Sequence, residues 1–235
     1  MRVGGGLGWL RGWVDRILPG YCCHCRRSMT HNGVLCHVCR DELQMVTPEW
    51  LSLWHGSLAS ELIMRGVYGW AYEGAIRTVI RQAKYHGNPR AIQWIVSQSE
   101  SVMRRAIHEL QPEVMIPIPS ARVRFVSRGF NLPTLIAHSV GPVDSPVASV
   151  VIRVKETPPL AGLSKSDRRR ELAQAFQVVP GSIAGKRVLL VDDIVTTGST
   201  AQGVEQICYD AGATRVELMG LAITPMHRTP RMTSQ

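Results

Sequence analysis

The 235-residue chain has no run of the roughly 18–20 apolar residues that a membrane-spanning helix requires, which excludes a transmembrane protein. The N-terminus also lacks the apolar core of a secretory signal. Leu10, Trp13, Val14, Ile17 and Leu18 recur at three- and four-residue spacing with Arg11, Asp15 and Arg16 between them, the pattern of a short amphipathic helix within residues 1–19. Such a stripe packs on a domain or lies on a membrane surface, and the expected location is the cytoplasm. Acidic side chains are in deficit, 18 Asp and Glu against 27 Lys and Arg, and the resulting +9 attracts polyanions: nucleic acid, phosphorylated metabolites or anionic lipid. Internal repeats are absent. With 45% hydrophobic and 19% charged residues the chain buries a core, so wholesale disorder is excluded.

Six cysteines in a chain without an export signal are not a disulfide framework, and five of them crowd into residues 22–39. Cys22 and Cys25 form one C-x2-C pair, and Cys36 and Cys39 form a second after a ten-residue spacer. Each pair turns tightly enough to place two sulfurs on one ion, so the four thiolates make a closed tetrahedral zinc site of structural type. Cys23, His24 and His37 lie in the same knuckles and are alternative ligands, and Asn32-Gly33 is a turn expected between two short strands. Cys208, alone in a predicted helix, reads as a buried packing thiol.

Downstream, residues 46–60 read as a connector with no strong period, pinned by Trp50 and Trp54. Strand and helix patterns then alternate: a strand at 66–72, a helix whose apolar face is Ala75, Ile76, Val79, Ile80 and Ala83, and a second helix over 89–109. A buried strand at 114–118, a helix over 130–140, a strand at 147–154, a polar stretch at 155–170, and strands at 187–193 and 214–223 complete the pattern. Short, continuous apolar strands in this rhythm predict an α/β domain with a mainly parallel sheet covered on both faces. The expected layout is the helix at 1–19, a finger at 20–45, the connector, the α/β domain at 61–225 and a basic tail at 226–235. In such sheets ligands gather at the carboxyl ends of the strands.

The stretch VLLVDDIVTTGST, residues 188–200, carries the most chemistry. A buried strand delivers Asp192 and Asp193 to its end, and Thr196, Thr197, Gly198, Ser199 and Thr200 wrap into a helix start. Small hydroxyl residues around a glycine let the backbone close on a phosphate with N–H donors, hydroxyl donors and the positive end of a helix together. The carboxylates suit the hydroxyls of a sugar. No lysine follows the glycine, so this is not a Walker loop.

This stretch resembles the phosphoribosyl-pyrophosphate (PRPP) signature of type I phosphoribosyltransferases. With KYHG at 84–87, PIPSARVRFVSRGFN at 117–131 and RVKET at 153–157 in that order, downstream of a four-cysteine finger, the chain from about residue 10 to 223 is similar to the ComF/GntX family. The resemblance implies a type I phosphoribosyltransferase fold preceded by a zinc-finger module, with PRPP bound together with Mg²⁺. It places Asp192 and Asp193 at the ribose, directly or through the metal, and the 196–200 loop on the 5-phosphate. Pro119, Ser120, Arg122, Arg124 and Asn131 would face pyrophosphate, whose oxygens arginine forks match in pairs. Arg128, Arg153 and Lys155 would join the aspartates in the catalytic set, and 155–170 would be a lid that closes over substrate.

The chain departs from that pattern at Val154, Leu160 and Glu171, where the family carries a threonine, a glutamine and an asparagine. The motifs name no acceptor and no oligomeric state. A reading from a second class is a non-catalytic accessory protein of DNA uptake or utilisation, whose finger and basic surface engage single-stranded DNA or a helicase-type competence protein while the phosphoribosyltransferase fold serves as scaffold.

Overall fold

Strands that are apolar on both faces are stable only where both faces are covered, and this condition organises the larger part of the molecule. The computed structural model describes residues 20–30, 33–55, 60–120, 126, 128–140, 145–155, 171 and 174–225. The helix expected within 1–19, together with Asn32, Arg122, Arg124, Leu160, nearly all of the expected lid and the 226–235 tail, lies outside the described residues. The chain divides into two compact units, Met1–Leu43 with Glu73–Ile95 and Gln44–Tyr72 with Val96–Gln235.

In the first unit, β1 (Gly20–Tyr21) and β2 (Ser28–Met29) pair antiparallel around the first cysteine knuckle. The knuckle closes through Cys22 N–H to the Arg27 carbonyl and Arg26 N–H to the Cys22 carbonyl, both at 2.9 Å. The second knuckle opens α1 (His37–Asp41), with Cys36 in extended conformation at its N-cap. Helix α4 (Gly74–His86) buries Ala75, Ile76, Val79, Ile80 and Ala83, the predicted stripe. It ends where Gly87 turns left-handed and Asn88 begins the next helix, its Oδ1 accepting from the Arg90 and Ala91 amides.

The second unit holds α2 (Pro48–His55), α3 (Glu61–Arg65) and a four-stranded sheet of β3 (Val67–Ala71), β4 (Val114–Pro117), β7 (Arg187–Val195) and β8 (Arg215–Ile223). The strands run in the order β3-β8-β7-β4 and every pairing is parallel, as predicted for the class. Helix α5 (Pro89–Leu110) contributes Val102 to one face at Gly69. The other face carries Tyr68, Val114, Ile116, Val188, Leu190, Val216 and Leu218. These share one core cluster with Leu62 and Ile63 of α3 and with Ala201, Val204 and Cys208 of α7 (Ser199–Asp210). Cys208 is thus the buried packing thiol expected.

Four expectations shift. The connector contains α2, whose start is legible once seen: Thr47 Oγ1 accepts from the Trp50 amide, Pro48 occupies the first turn and Glu49 follows. Among the described residues the finger's two strands flank the first knuckle, and the turn expected at Asn32-Gly33 lies partly outside them. The helix expected from residue 130 begins two residues later as α6 (Leu132–Ala137), followed by a 3-10 turn His138–Val140. The strand expected over 147–154 breaks in two: Val147 bridges Met115 at the sheet edge, while β5 (Val151–Arg153) pairs antiparallel with β6 (Phe176–Val178). Among the described residues no helix is long and apolar enough to cross a membrane.

The β3–β8 approach depends on Gly69, where an added Cβ would lie 2.6 Å from the Leu221 carbonyl oxygen. Gly69→Ala is therefore expected to cost about 1–3 kcal/mol, read by denaturant unfolding, because backbone rather than a side chain has to move.

Candidate functional site

The exits of β4 and β7 lie side by side because the two strands pair in register, and the Ile118 amide continues the ladder to the Val191 carbonyl. The phosphate-type loop and the Pro119-Ser120 turn therefore leave the same end of the sheet. Past Val195, Thr196 and Thr197 are exposed, Gly198 is buried and Ser199 and Thr200 are half-buried. Thr197 and Ser199 hydroxyls share a hydrogen bond of 2.8 Å. Gly198 caps α7 at φ 70°, and an added Cβ would meet Ile63 Cδ1 at 2.3 Å. The first intrahelical bond after the cap runs from the Gln202 amide to the Gly198 carbonyl, so the Ser199, Thr200 and Ala201 amides point off the helix start toward the loop. Three amides, two hydroxyls and a helix N-terminus thus gather at one cradle, the donor set that an anion would need.

Asp192 and Asp193 both lie in β7, near the end from which the loop leaves. Asp192 sits in a row with Gly220 and Tyr68 on the α7 face and is half-buried. Asp193 is buried. The Asp192 Oδ1 accepts the Asp193 amide at 2.8 Å. Burial, with the Asp192 carboxylate as a second cause, raises the Tyr68 phenol, which donates to the Ile63 carbonyl at 3.0 Å. Asp192 therefore lies on the face that α7 covers.

At the neighbouring exit, Pro119 and Ser120 are half-buried. Asn131 is spent on structure: its Oδ1 accepts from Ser120 Oγ at 2.7 Å, and its Nδ2 donates to the Ile118 carbonyl and to Thr134 Oγ1. It clamps the turn to the start of α6. Arg128 is half-buried before Gly129. Arg153 lies at the end of β5 with its guanidinium 5.1 Å from the Phe176 ring centroid, and Phe176 and Val151 belong to the core cluster that includes α7. Lys155 pairs with Glu171 at 3.3 Å, so the acidic departure supplies a partner to a predicted catalytic lysine.

In the first unit the sulfurs of Cys22, Cys25, Cys36 and Cys39 all lie within 4.8 Å of one another. Cys25 and Cys36 sulfurs are 3.7 Å apart, far beyond the roughly 2.05 Å of a disulfide. A tetrahedral ion with zinc–sulfur bonds of about 2.3 Å separates its sulfurs by about 3.8 Å, so the cluster is compatible with structural zinc. Burial pushes the Cys22 thiol up, but backbone N–H donors of Cys25, Cys36 and His24 outweigh it and bring it down to about 6. It is thus a thiolate at neutral pH, the metal-binding form. Burial and the neighbouring Cys22 push Cys23 up to about 11, and its sulfur is not in the cluster. His24 Nδ1 lies 2.9 Å from Thr78 Oγ1, and none of Cys23, His24 and His37 is among the converging ligand atoms.

No family model matches the chain. It is similar to competence protein F of Haemophilus influenzae, at 37% identity over 120 residues, 49% of this chain and 52% of that protein. The match thus spans about half of that relative's length. Similarity to DNA utilization protein YhgH of Salmonella typhi is 28% over 229 residues, covering 88% of this chain and 98% of the relative. Among solved structures, the purine phosphoribosyltransferase of Pyrococcus horikoshii aligns with 60% of this chain and 94% of its own at 20% identity, with a TM-score of 0.34.

Metal analysis of protein purified reduced is expected to give one zinc per chain. Cys22→Ser should lose it and Cys23→Ser should keep it; the opposite pattern would reassign the ligands. At the cradle, Gly198→Ala combines left-handed strain of about 1–2 kcal/mol with the Ile63 clash, so thermal unfolding should show a loss of at least that size.

Proposed function

We propose, from the premise that the chain is a homologue of competence protein F and of DNA utilization protein YhgH, that it binds PRPP or a related ribose 5-phosphate at the sheet end formed by β4 and β7. The observation that carries this is the cradle at 196–200 on the same face as Asp192. A 5-phosphate there would accept from the Ser199, Thr200 and Ala201 amides and the Thr197 and Ser199 hydroxyls. Hydrogen bonds to a charged group contribute about 1.5–3 kcal/mol each, more than the roughly 0.3–1 kcal/mol of a helix dipole, so loop geometry dominates the grip.

The ribose hydroxyls would lie toward Asp192. Pyrophosphate would lie toward Pro119 and Ser120, with Arg122, Arg124, Arg128, Arg153 and Lys155 supplying positive charge. Mg²⁺ fits the oxygen donors of Asp192 and of the ligand itself, and when bound it would neutralise charge on the leaving pyrophosphate. If pentosyl transfer occurs, the bond from C1 to pyrophosphate breaks, pyrophosphate leaves with the electron pair, and an acceptor atom bonds to C1. The protein's part would be to position these groups and to balance the charge that develops. Zinc at the four cysteines would be structural, since four thiolates leave no position open for substrate. The names of the relatives support a setting in DNA uptake or utilisation.

Calorimetry with PRPP and Mg²⁺ is expected to show one site per chain. Thr197→Ala/Ser199→Ala should weaken it by at least about tenfold without loss of helix content. Absence of binding by the wild-type protein, or an unchanged affinity in the double variant, would overturn this reading.

A further inference from the structure

Glu171 stands where the resemblance leads one to expect an asparagine, and it adds a negative charge beside a lysine assigned above to the pyrophosphate side. Val147 bridges Met115 in parallel, so the chain sets out toward β5 in the direction of β4, toward the carboxyl end of the sheet. Val151 of β5 and Phe176 of β6 belong to the core cluster that holds Ala201 and Val204 of α7. Past β5 the ladder continues: the Val154 amide donates to the Ala175 carbonyl at 2.8 Å, and the Lys155 amide donates to the same oxygen at 3.4 Å. The backbone of Lys155 is thereby fixed at the chain that enters β6, and Glu171 Oε2 meets Lys155 Nζ at 3.3 Å.

The Lys155 side chain is 52% exposed, and an exposed ion pair adds little to stability. The consequence of the pair is therefore for a ligand more than for the fold. An ammonium is a point charge on a flexible stem, for which a carboxylate and a phosphate oxygen compete. Glu171 already neutralises it and repels a further anion brought beside it, whereas an amide at this position would do neither. The 5-phosphate lies across the ribose, in the cradle, where its donors are amides and hydroxyls that owe nothing to Lys155.

We infer that Glu171 is a specificity-determining residue: by holding Lys155 it disfavours a pyrophosphate at C1 and shifts the site toward ribosides phosphorylated at C5 alone, such as ribose 5-phosphate. This rests on the ribose-phosphate reading and narrows its substrate class. Specificity is a difference of two affinities, and a charge placed against one ligand creates it as surely as a contact made to the other. Because the pair is exposed, the effect fades with salt, as the screening length falls from about 10 Å at 0.1 M to about 3 Å at 1 M.

The test is calorimetry of the full-length, zinc-loaded protein with PRPP and, separately, with ribose 5-phosphate, both with Mg²⁺. Glu171→Gln removes the charge at nearly constant shape and is expected to tighten PRPP by about threefold to tenfold at low salt, while ribose 5-phosphate changes by less than about twofold. Glu171→Asn should act in the same direction, and circular dichroism verifies that both variants fold. Lys155→Met is expected to cost more PRPP affinity in the Glu171→Gln background than in the wild type, because only there is the ammonium at the ligand's disposal. Equal tightening of both ligands overturns the inference, since a general change of the site would do that. Unchanged or weaker PRPP binding in Glu171→Gln overturns it too, as does an equal cost of Lys155→Met in the two backgrounds. The underlying reading has its own control: if the wild type binds either ligand and Thr197→Ala/Ser199→Ala weakens it, the ribose-phosphate site stands even where the Glu171 variants fail, whereas a wild type that binds neither ligand removes both.

Discussion

The parallel pairing of β7 between β8 and β4 is the constraint on which the candidate site depends. Registry along β7 brings the exit of β4 beside the cradle and fixes which side chains share a face. Because both faces of the sheet are covered, β7 carries only aliphatic side chains from Val188 to Val191 and becomes polar where it emerges. Helix α7 then returns across the face that holds Tyr68, Gly220 and Asp192. Gly198 is the pivot, since a left-handed residue with no Cβ is needed to turn the chain against Ile63. Gly220 serves the row differently: an added Cβ would lie 2.9 Å from both Tyr68 and Val195 side chains.

The first unit solves its stability problem by other means. Its knuckles have two-residue strands and a five-residue helix, too little secondary structure to enclose a large core. Four thiolates converging on an ion would supply folding free energy that a small apolar cluster cannot. The backbone donors to Cys22 belong to the same design, since they favour the ionised sulfur before any metal arrives.

Much of this was legible in the sequence because it depends on local pattern. The cysteine spacing identified the four sulfurs that converge, and the aliphatic run before TTGST identified β7 and its cradle. The periodicity of 75–83 gave the buried face of α4 and, by subtraction, its exposed one. What stayed hidden depends on register or on partners distant in sequence. Asn131 read as a pyrophosphate contact, and its three hydrogen bonds to Ser120, Ile118 and Thr134 were not legible beside it. The three-residue β6 is set by its antiparallel partner, and no short window reveals that. Helix α2 was obscured by tryptophans despite a Thr-Pro-Glu start.

The surplus of +9 also acquires a structure that a total cannot express. Several arginines of the second unit are committed to carboxylates. Arg65 and Arg215 both face Glu217, whose side chain is only 3% exposed, and Arg187 pairs with Glu113 at 3.4 Å. Removing either partner of Glu217 would leave a buried charge poorly compensated, so those arginines hold the fold and are not at the disposal of a ligand. Charge that attracts a polyanion must be placed together, on a face with few carboxylates and with a group that rewards contact. Net charge thus points to a polyanion, while the placement of individual arginines decides where one would bind.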